Sequence, residues 1–355
     1  MDIRDLPIDG TYLRDTLFQL LSIPSPTGFT DDAVKYLRDE LTRLGISYEM
    51  TRRGAIRAVL PGKRQTPDRA LAAHVDTLGA QVKRLKENGR LELVPIGHWS
   101  ARFAEGARCT LFTESGRRRG TIVPLKASGH TFNEEVDTQP VNWQQVELRV
   151  DEKVANAQDL MALGVHIGDC VAIDPQPELT DSGFFVSRHL DDKAGVAIML
   201  AAAKAVIEQR AELPVDCHLL VTISEEVGSG ASTGLHEDVA EMVTIDNGTT
   251  APGQNSSEFG VTIAMADMTG PFDMALTRSL IGLCREFRVP HQRDIFRYYR
   301  CDSAAALEAG ADMRTALITF GIDASHGYER IHISSLVDVA RLVALYMQSP
   351  PEDPR

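Results

Sequence analysis

Apolar positions repeat along this chain in two rhythms, and the switches between them mark its organisation. Leu13, Leu17, Leu20 and Leu21 share one face of a 3.6-residue repeat and predict a helix over 11–22, broken by the prolines and glycine of "IPSPTG". Val34, Leu37, Leu41 and Leu44 predict a second over 31–44, capped by Thr30 and ended by Gly45. Strands follow in "AIRAVLPG" and "RALAAHVD". From 78 to 174 the texture changes to short alternating runs separated by "ENGR", "TESGRRRG" and "QPVNWQ", the pattern of a small all-β barrel or sandwich. Only "NAQDLMALG" inside it reads as helical.

The α/β rhythm resumes with the strand "GFFVS" and an alanine-rich helix over 193–209. Then come a strand at 217–223, a helix near 232–240, and strands in "MVTID" and "GVTIAMA". A helix over 273–288, a strand in "TALITFGID" and a helix over 335–347 complete the pattern, and the tail "SPPEDPR" is expected to be disordered. Strands alternating with helices imply an α/β fold with a mostly parallel sheet covered by helices on both faces. The expected domains are therefore 1–77 with 175–355 as the α/β unit, and 78–174 as an inserted β barrel.

Composition narrows the function classes. The 355 residues carry a formal charge of −13, which repels a phosphate backbone, so no nucleic-acid partner is expected. The five cysteines form no CxxC pair, which argues against a disulfide framework and a zinc knuckle. The charged start "MDIRDLPIDGTYLRD" has no apolar signal region, and no stretch reaches the roughly 18 apolar residues of a membrane span. A cytoplasmic location with no membrane partner is expected.

Ligands of open parallel sheets gather beyond the carboxyl ends of the strands. Here those ends carry His74 and Asp76; His189, Asp191 and Asp192; Glu225 and Glu226; Asp246; and Asp323 with His326. A polar residue at one strand exit is ordinarily a turn former. Five such exits, with the acids unopposed by neighbouring Lys or Arg, call for a cationic counter-charge. Mixed His and carboxylate donors suit Zn²⁺, Co²⁺ or Mn²⁺ better than Ca²⁺. In extended chain Glu225 and Glu226 point oppositely, so one is expected to bind metal and the other to act as general base.

His74-Val75-Asp76, Asp191-Asp192-Lys193-Ala194-Gly195, Glu225-Glu226-Val227-Gly228, the Asp246 strand and "GVHIGDCVAIDP" resemble, in order and spacing, the M42 family of dinuclear metalloaminopeptidases. More narrowly the chain is similar to the M42-type peptidases of bacterial N-acetylglutaminylglutamine amide osmoprotectant systems. The resemblance implies two divalent ions, Zn²⁺ or Co²⁺, with His74, Asp191 and Asp246 at one and Asp191 bridging to the other. Glu226 and a late histidine complete the second. It makes Glu225 the general base, has Asp76 orient His74 through its other ring nitrogen, and puts Asp302 in the site lining. It also implies homo-oligomerisation through the β insertion, and a peptide or small amide as substrate. The late histidine is His326, at the better distance from its strand and followed by Glu329, or His332.

Other motifs have plainer explanations. The glycines of "GSGASTG" miss the spacing of a nucleotide loop and suit a tight turn beside the site. His130 with Glu134, Glu135 and Asp137 reads as a solvated loop, "GRRRG" as a hairpin tip, and His98, His166, His218, His236 and His291 as isolated. His189 is expected to be structural. The rival functions are a metal-dependent amidase or deacylase of acylated amino acids, a metal-independent glycosidase using Glu225 or Glu226, and a non-catalytic metal-stabilised oligomer.

Overall fold

The computed structural model describes residues 4–352. Four strands pair in parallel at the centre of a twelve-stranded sheet, in the order Val215–Thr222, Arg64–His74, Val239–Thr250 and Arg314–Asp323. The flanks are antiparallel: Ile56–Leu60 with Ser47–Met50 on one side, and Glu329–His332, Phe184–Ser187 and Glu178–Leu179 on the other. A branch of three strands, Val261–Asp267, His291–Ile295 and Gly270–Pro271, joins along Arg314–Asp323. Parallel pairing thus runs through the four central strands and recurs in the branch between Val261–Asp267 and His291–Ile295, and the sheet as a whole is mixed.

The centre is apolar on both faces because each strand alternates between two cores. Leu71, Ala73, Leu219, Val221, Val243 and Ile245 enter the larger one, with helices Gly10–Ser22, Leu190–Glu208 and Ile333–Gln348. Ala70, Ala72, Leu220 and Met242 enter a smaller one beneath helix Asp302–Glu308. The alanine-rich helix is buried along nearly its whole length, as its composition implies.

Six antiparallel strands between Gly79 and Ile173 close into a barrel, with Val82, Leu91, Leu111, Ile122, Leu148 and Val171 filling its interior. Helix Ala157–Ala162 lies in the expected place, and the "GHTFNEEVD" segment forms two short helical turns, Gly129–Phe132 and Glu135–Thr138.

Three local expectations need correction. The segment 232–240 is not helical: a single turn, Gly230–Ser232, leads through Gly234 at φ +105° into the strand at Val239. Its apolar residues Leu235 and Val239 serve the smaller core instead of a helix face. Thr30 precedes the second helix but makes no side-chain capping bond. Of the tail, Ser349 is buried and the Glu352 N–H reaches Glu241 at 3.3 Å, while 353–355 lie outside the described residues. Among the described residues no helix is long and apolar enough to cross a membrane.

Candidate active site

Register alone brings the strand ends together. Thr222 pairs with His74, and Thr244 with Ala72, so Asp246 and His74 each lie two residues beyond a matched pair on neighbouring strands. Two residues on one strand keep the same face. The chain then breaks from its ladders where polar groups are needed. Asp191 and Asp192 have non-helical backbone angles at the head of the alanine-rich helix, where Asp191 meets the strand-end histidines and Asp192 accepts the His74 N–H.

Asp191 is the hub. Its Oδ1 lies 3.1 Å from His74 Nε2 and its Oδ2 lies 3.3 Å from His326 Nε2. One carboxylate therefore stands between two imidazoles, one on each oxygen. Donor atoms of His74, Asp191 and Asp246, all buried, lie within 4.8 Å of one another. Glu225 Oε2 comes within 3.9 Å of His74 Nε2. Glu226 Oε1 is buried with no hydrogen-bonding partner among the described residues. A buried carboxylate oxygen left unsatisfied is costly, and a cation at this place removes the cost. The donors present, two imidazoles and several carboxylates, fit Zn²⁺ or Co²⁺.

Crowding sets the acid–base behaviour. Burial, aided by nearby carboxylates, pushes the Glu225 and Glu226 carboxyls well above their ordinary range. Burial and Asp191 push Asp246 up to about 7. Asp191 goes the other way: burial would raise it, but His326 and His74 hold it low. Burial likewise would lower both imidazoles, yet Asp191 raises His74 well above its usual value and His326 to about 10.

The surrounding groups hold this arrangement. His74 Nδ1 meets the main-chain oxygen of Asp76 at 2.9 Å, while the Asp76 carboxylate stands off at 3.5 Å. That carboxylate instead accepts from Thr27 Oγ1 at 2.7 Å and from the N–H groups of Glu225 at 3.2 Å and Glu226 at 3.4 Å. The two glutamates form a tight turn, Glu225–Val227, rather than the expected extended chain, because Gly228 follows at φ +81° and closes it. Asp192 accepts from the N–H groups of His74 and Gly195 and stays out of the donor cluster. Asp302 accepts from Thr222 Oγ1 and the Ala231 N–H, both at 2.7 Å, and burial pushes it up to about 6. A Cβ on Gly230 would come within 1.8 Å of that carboxylate, which explains the glycine.

The late histidines separate cleanly. His326 approaches Asp191, with its Nδ1 on the His98 carbonyl oxygen at 2.9 Å and its N–H on Glu329 at 3.0 Å. His332 lies elsewhere, against Ser334, Phe184 and Phe259. His189 bonds the Ile173 carbonyl, and burial with Lys193 lowers its ring to about 3. Asp323 caps Ala324 at the surface.

Sequence reasoning did not identify Asn247, whose amide donates to Asp191 at 2.6 Å and to Asp246 at 3.2 Å. His98 also went unassigned, although its carbonyl, at the edge of the barrel, holds His326. Tyr299 and Arg300 carried no signal beyond an aromatic pair before Asp302. A cavity of about 460 Å³ opens on the cluster, lined by Asp191, Glu225, Glu226, Asp246 and His326 and walled by His98, Met268, Tyr298, Tyr299 and Arg300.

Residues 54–342 match the family model described as M42 glutamyl aminopeptidase. The protein YhfE of Bacillus subtilis is 38% identical over 333 residues, covering 94% of this chain and 96% of its own. The TET aminopeptidase of the marine sediment archaeon Thaumarchaeota archaeon SCGC AB-539-E09 superposes with a TM-score of 0.87 at 18% identity, over 95% of this chain and 96% of that one. The TET1 peptidase of Pyrococcus horikoshii, which assembles into a tetrahedron or a large octahedral shell, gives 0.80 at 19% identity over 94% and 99%.

Proposed function

This chain belongs to the M42 peptidase family, and from that premise we propose that it is a two-metal aminopeptidase acting on free amino termini. His74, Asp191 and Asp246 would hold one divalent ion, and Asp191, Glu226 and His326 the other. Bound there, Zn²⁺ or Co²⁺ supplies charge that polarises a peptide carbonyl and makes water more acidic.

The rest falls to the chain's own residues. Glu225 is the general base: its carboxylate, 3.9 Å from His74 Nε2 at the edge of the donor cluster, is placed to take a proton from the attacking water and return it to the leaving amine. Asp76 and Thr27 fix the turn that aims it. The observation carrying the reading is the single Asp191 carboxylate flanked by His74 and His326 on opposite oxygens.

Short peptides and small peptide amides of the osmoprotectant kind are the proposed substrates. The parts 1–77 and 175–355 form the catalytic domain, and 78–174 is a domain through which copies associate, in the cytoplasm. The assembly of the Pyrococcus horikoshii peptidase supports self-association.

The test compares free and N-acetylated versions of the same peptides, before and after chelation and metal return. Cleavage of the free forms alone, lost on chelation and restored by Zn²⁺ or Co²⁺, is expected. Cleavage of the acetylated forms alone makes the protein a deacylase, and chelator-resistant cleavage removes the metals from the account.

A further inference from the structure

Tyr299 sets a buried hydroxyl beside Asp246 without a fully formed hydrogen bond. It lies in the loop between strand His291–Ile295 and helix Asp302–Glu308. Its ring packs 5.5 Å from that of Phe296 and borders the apolar cluster of Ala264, Phe272, Cys301 and Leu317, and its carbonyl accepts the Met268 N–H at 3.0 Å. The loop is thus tied down and the ring fixed. Tyr299 Oη is buried and has no hydrogen-bonding partner among the described residues. It approaches Asp246 as a donor that favours the ionised carboxylate, though without the geometry of a full hydrogen bond, on the wall of the cavity that holds Glu225, Glu226 and His326.

A phenylalanine would fill the same apolar seat without burying an unsatisfied hydroxyl, a defect worth about 1–3 kcal/mol. Such groups in folded proteins ask for an explanation, and a catalytic role is one of those open to a hydroxyl on the wall of a reactive cavity. The other donors on the cavity wall are committed. The Asn247 amide serves Asp191 and Asp246. Arg300 is paired with Glu308 at 2.7 Å, and His326 Nδ1 is on the His98 carbonyl. Tyr298 is 93% exposed, so its hydroxyl is served by solvent. A phenol is protonated at neutral pH and donates. The floor is rich in carboxylates assigned to the metals and the general base; what it lacks is a free donor for the carbonyl oxygen.

We propose that Tyr299 is a catalytic residue whose Oη donates a hydrogen bond to the scissile carbonyl oxygen as that oxygen takes on negative charge. The inference rests on the aminopeptidase reading above and adds to it a second source of stabilisation for the oxyanion, fixed by the fold before substrate arrives.

The test is Tyr299→Phe in the full-length, metal-loaded protein, with aminoacyl p-nitroanilides as substrates. Metal content, melting temperature and the binding of two inhibitors are measured beside the kinetics. One inhibitor is a phosphinic dipeptide that mimics the tetrahedral centre; the other is the free amino acid product. The expected outcome is a fall in kcat of about 10²-fold with KM within about twofold. Metal content is unchanged and the melting temperature is the same or higher, since the change removes an unsatisfied group. The phosphinic dipeptide binds more weakly by a factor like that in kcat, and the product binds as before. A kcat within twofold of wild type overturns the inference. So does a lowered melting temperature or lost metal, because the hydroxyl then serves the fold or Asp246, and so does equal weakening of both inhibitors. A wild type that cleaves no free-amino substrate defeats the aminopeptidase reading itself, an outcome distinct from an active wild type matched by its variant.

Discussion

The Asp76 carboxylate accepts the main-chain N–H of Glu225 at 3.2 Å, so the end of one central strand sets the geometry of the turn at the end of its neighbour. The same carboxylate takes the Glu226 N–H and the Thr27 hydroxyl. Its effect on chemistry therefore runs through the glutamate turn, while the main-chain oxygen of Asp76 holds the His74 ring. Asp76→Asn keeps that main-chain bond but puts an amide donor where the turn offers donors. The expected result is a 10- to 100-fold loss of kcat, the usual scale for groups that orient a site, with both ions retained. Steady-state kinetics and metal analysis on one preparation check it.

The two late histidines should differ in kind. His326→Ala removes the imidazole 3.3 Å from Asp191 and should leave one tightly held ion per chain instead of two. His332→Ala breaks contacts with Ser182, Ser334, Phe184 and Phe259, all away from the donor cluster, and should leave both ions and kcat unchanged. Metal titration followed by calorimetry distinguishes the two variants.

Far from the site, stability should depend on a buried ion pair. Arg69 is fully buried, 2.9 Å from Glu241, with its guanidinium 4.4 Å from the centre of the Tyr346 ring. It also donates to the Tyr346 carbonyl, and Tyr346 Oη donates to Glu241 at 2.9 Å, so the last helix is clamped to the central sheet. Arg69→Ala strands a buried carboxylate and is expected to cost about 3–5 kcal/mol. Replacing Arg69 and Glu241 together by Met and Leu should cost less. Urea unfolding of the single and double variants measures both.

Glu40 gives a pH-dependent case. It accepts Arg43 Nε at 2.9 Å and the Tyr12 hydroxyl at 2.5 Å. The Arg43 hydrogen bond, against burial and with Tyr12 in support, holds its carboxyl below the ordinary range. A carboxyl with a depressed folded-state pKa binds fewer protons folded than unfolded. Its contribution is present above the unfolded value of about 4.3 and lost as pH falls through the lower folded value. Glu40→Gln should therefore be less stable than wild type at pH 7 by about 1–2 kcal/mol. The gap should close below about pH 4, in thermal melts run across pH 3 to 7.

What could be read from sequence follows from how local each signal is. Central strands show as apolar runs ending in His, Asp or Glu, and the parallel register does the rest, which is why His74, Asp191, Asp246 and His326 were legible as one cluster. The Glu225 turn was not, because an apolar run flowing into "SEEVG" looks extended until Gly228 is seen at φ +81°. Residues 232–240 carried helix-like spacing that the smaller core overrides. His98 lies 228 residues from the histidine it holds, in a different structural unit. Asn247 holds Asp191 and Asp246 through contacts that only the folded chain supplies.

The most direct test of the central claim is metal content and peptidase activity measured together for wild type and Glu225→Gln. Two ions per chain in both proteins are expected, with hydrolysis of free-amino peptides reduced about 10²- to 10⁴-fold in the variant alone. A metal-free wild type that still cleaves peptides, or a variant that cleaves them as fast as wild type, would contradict the account.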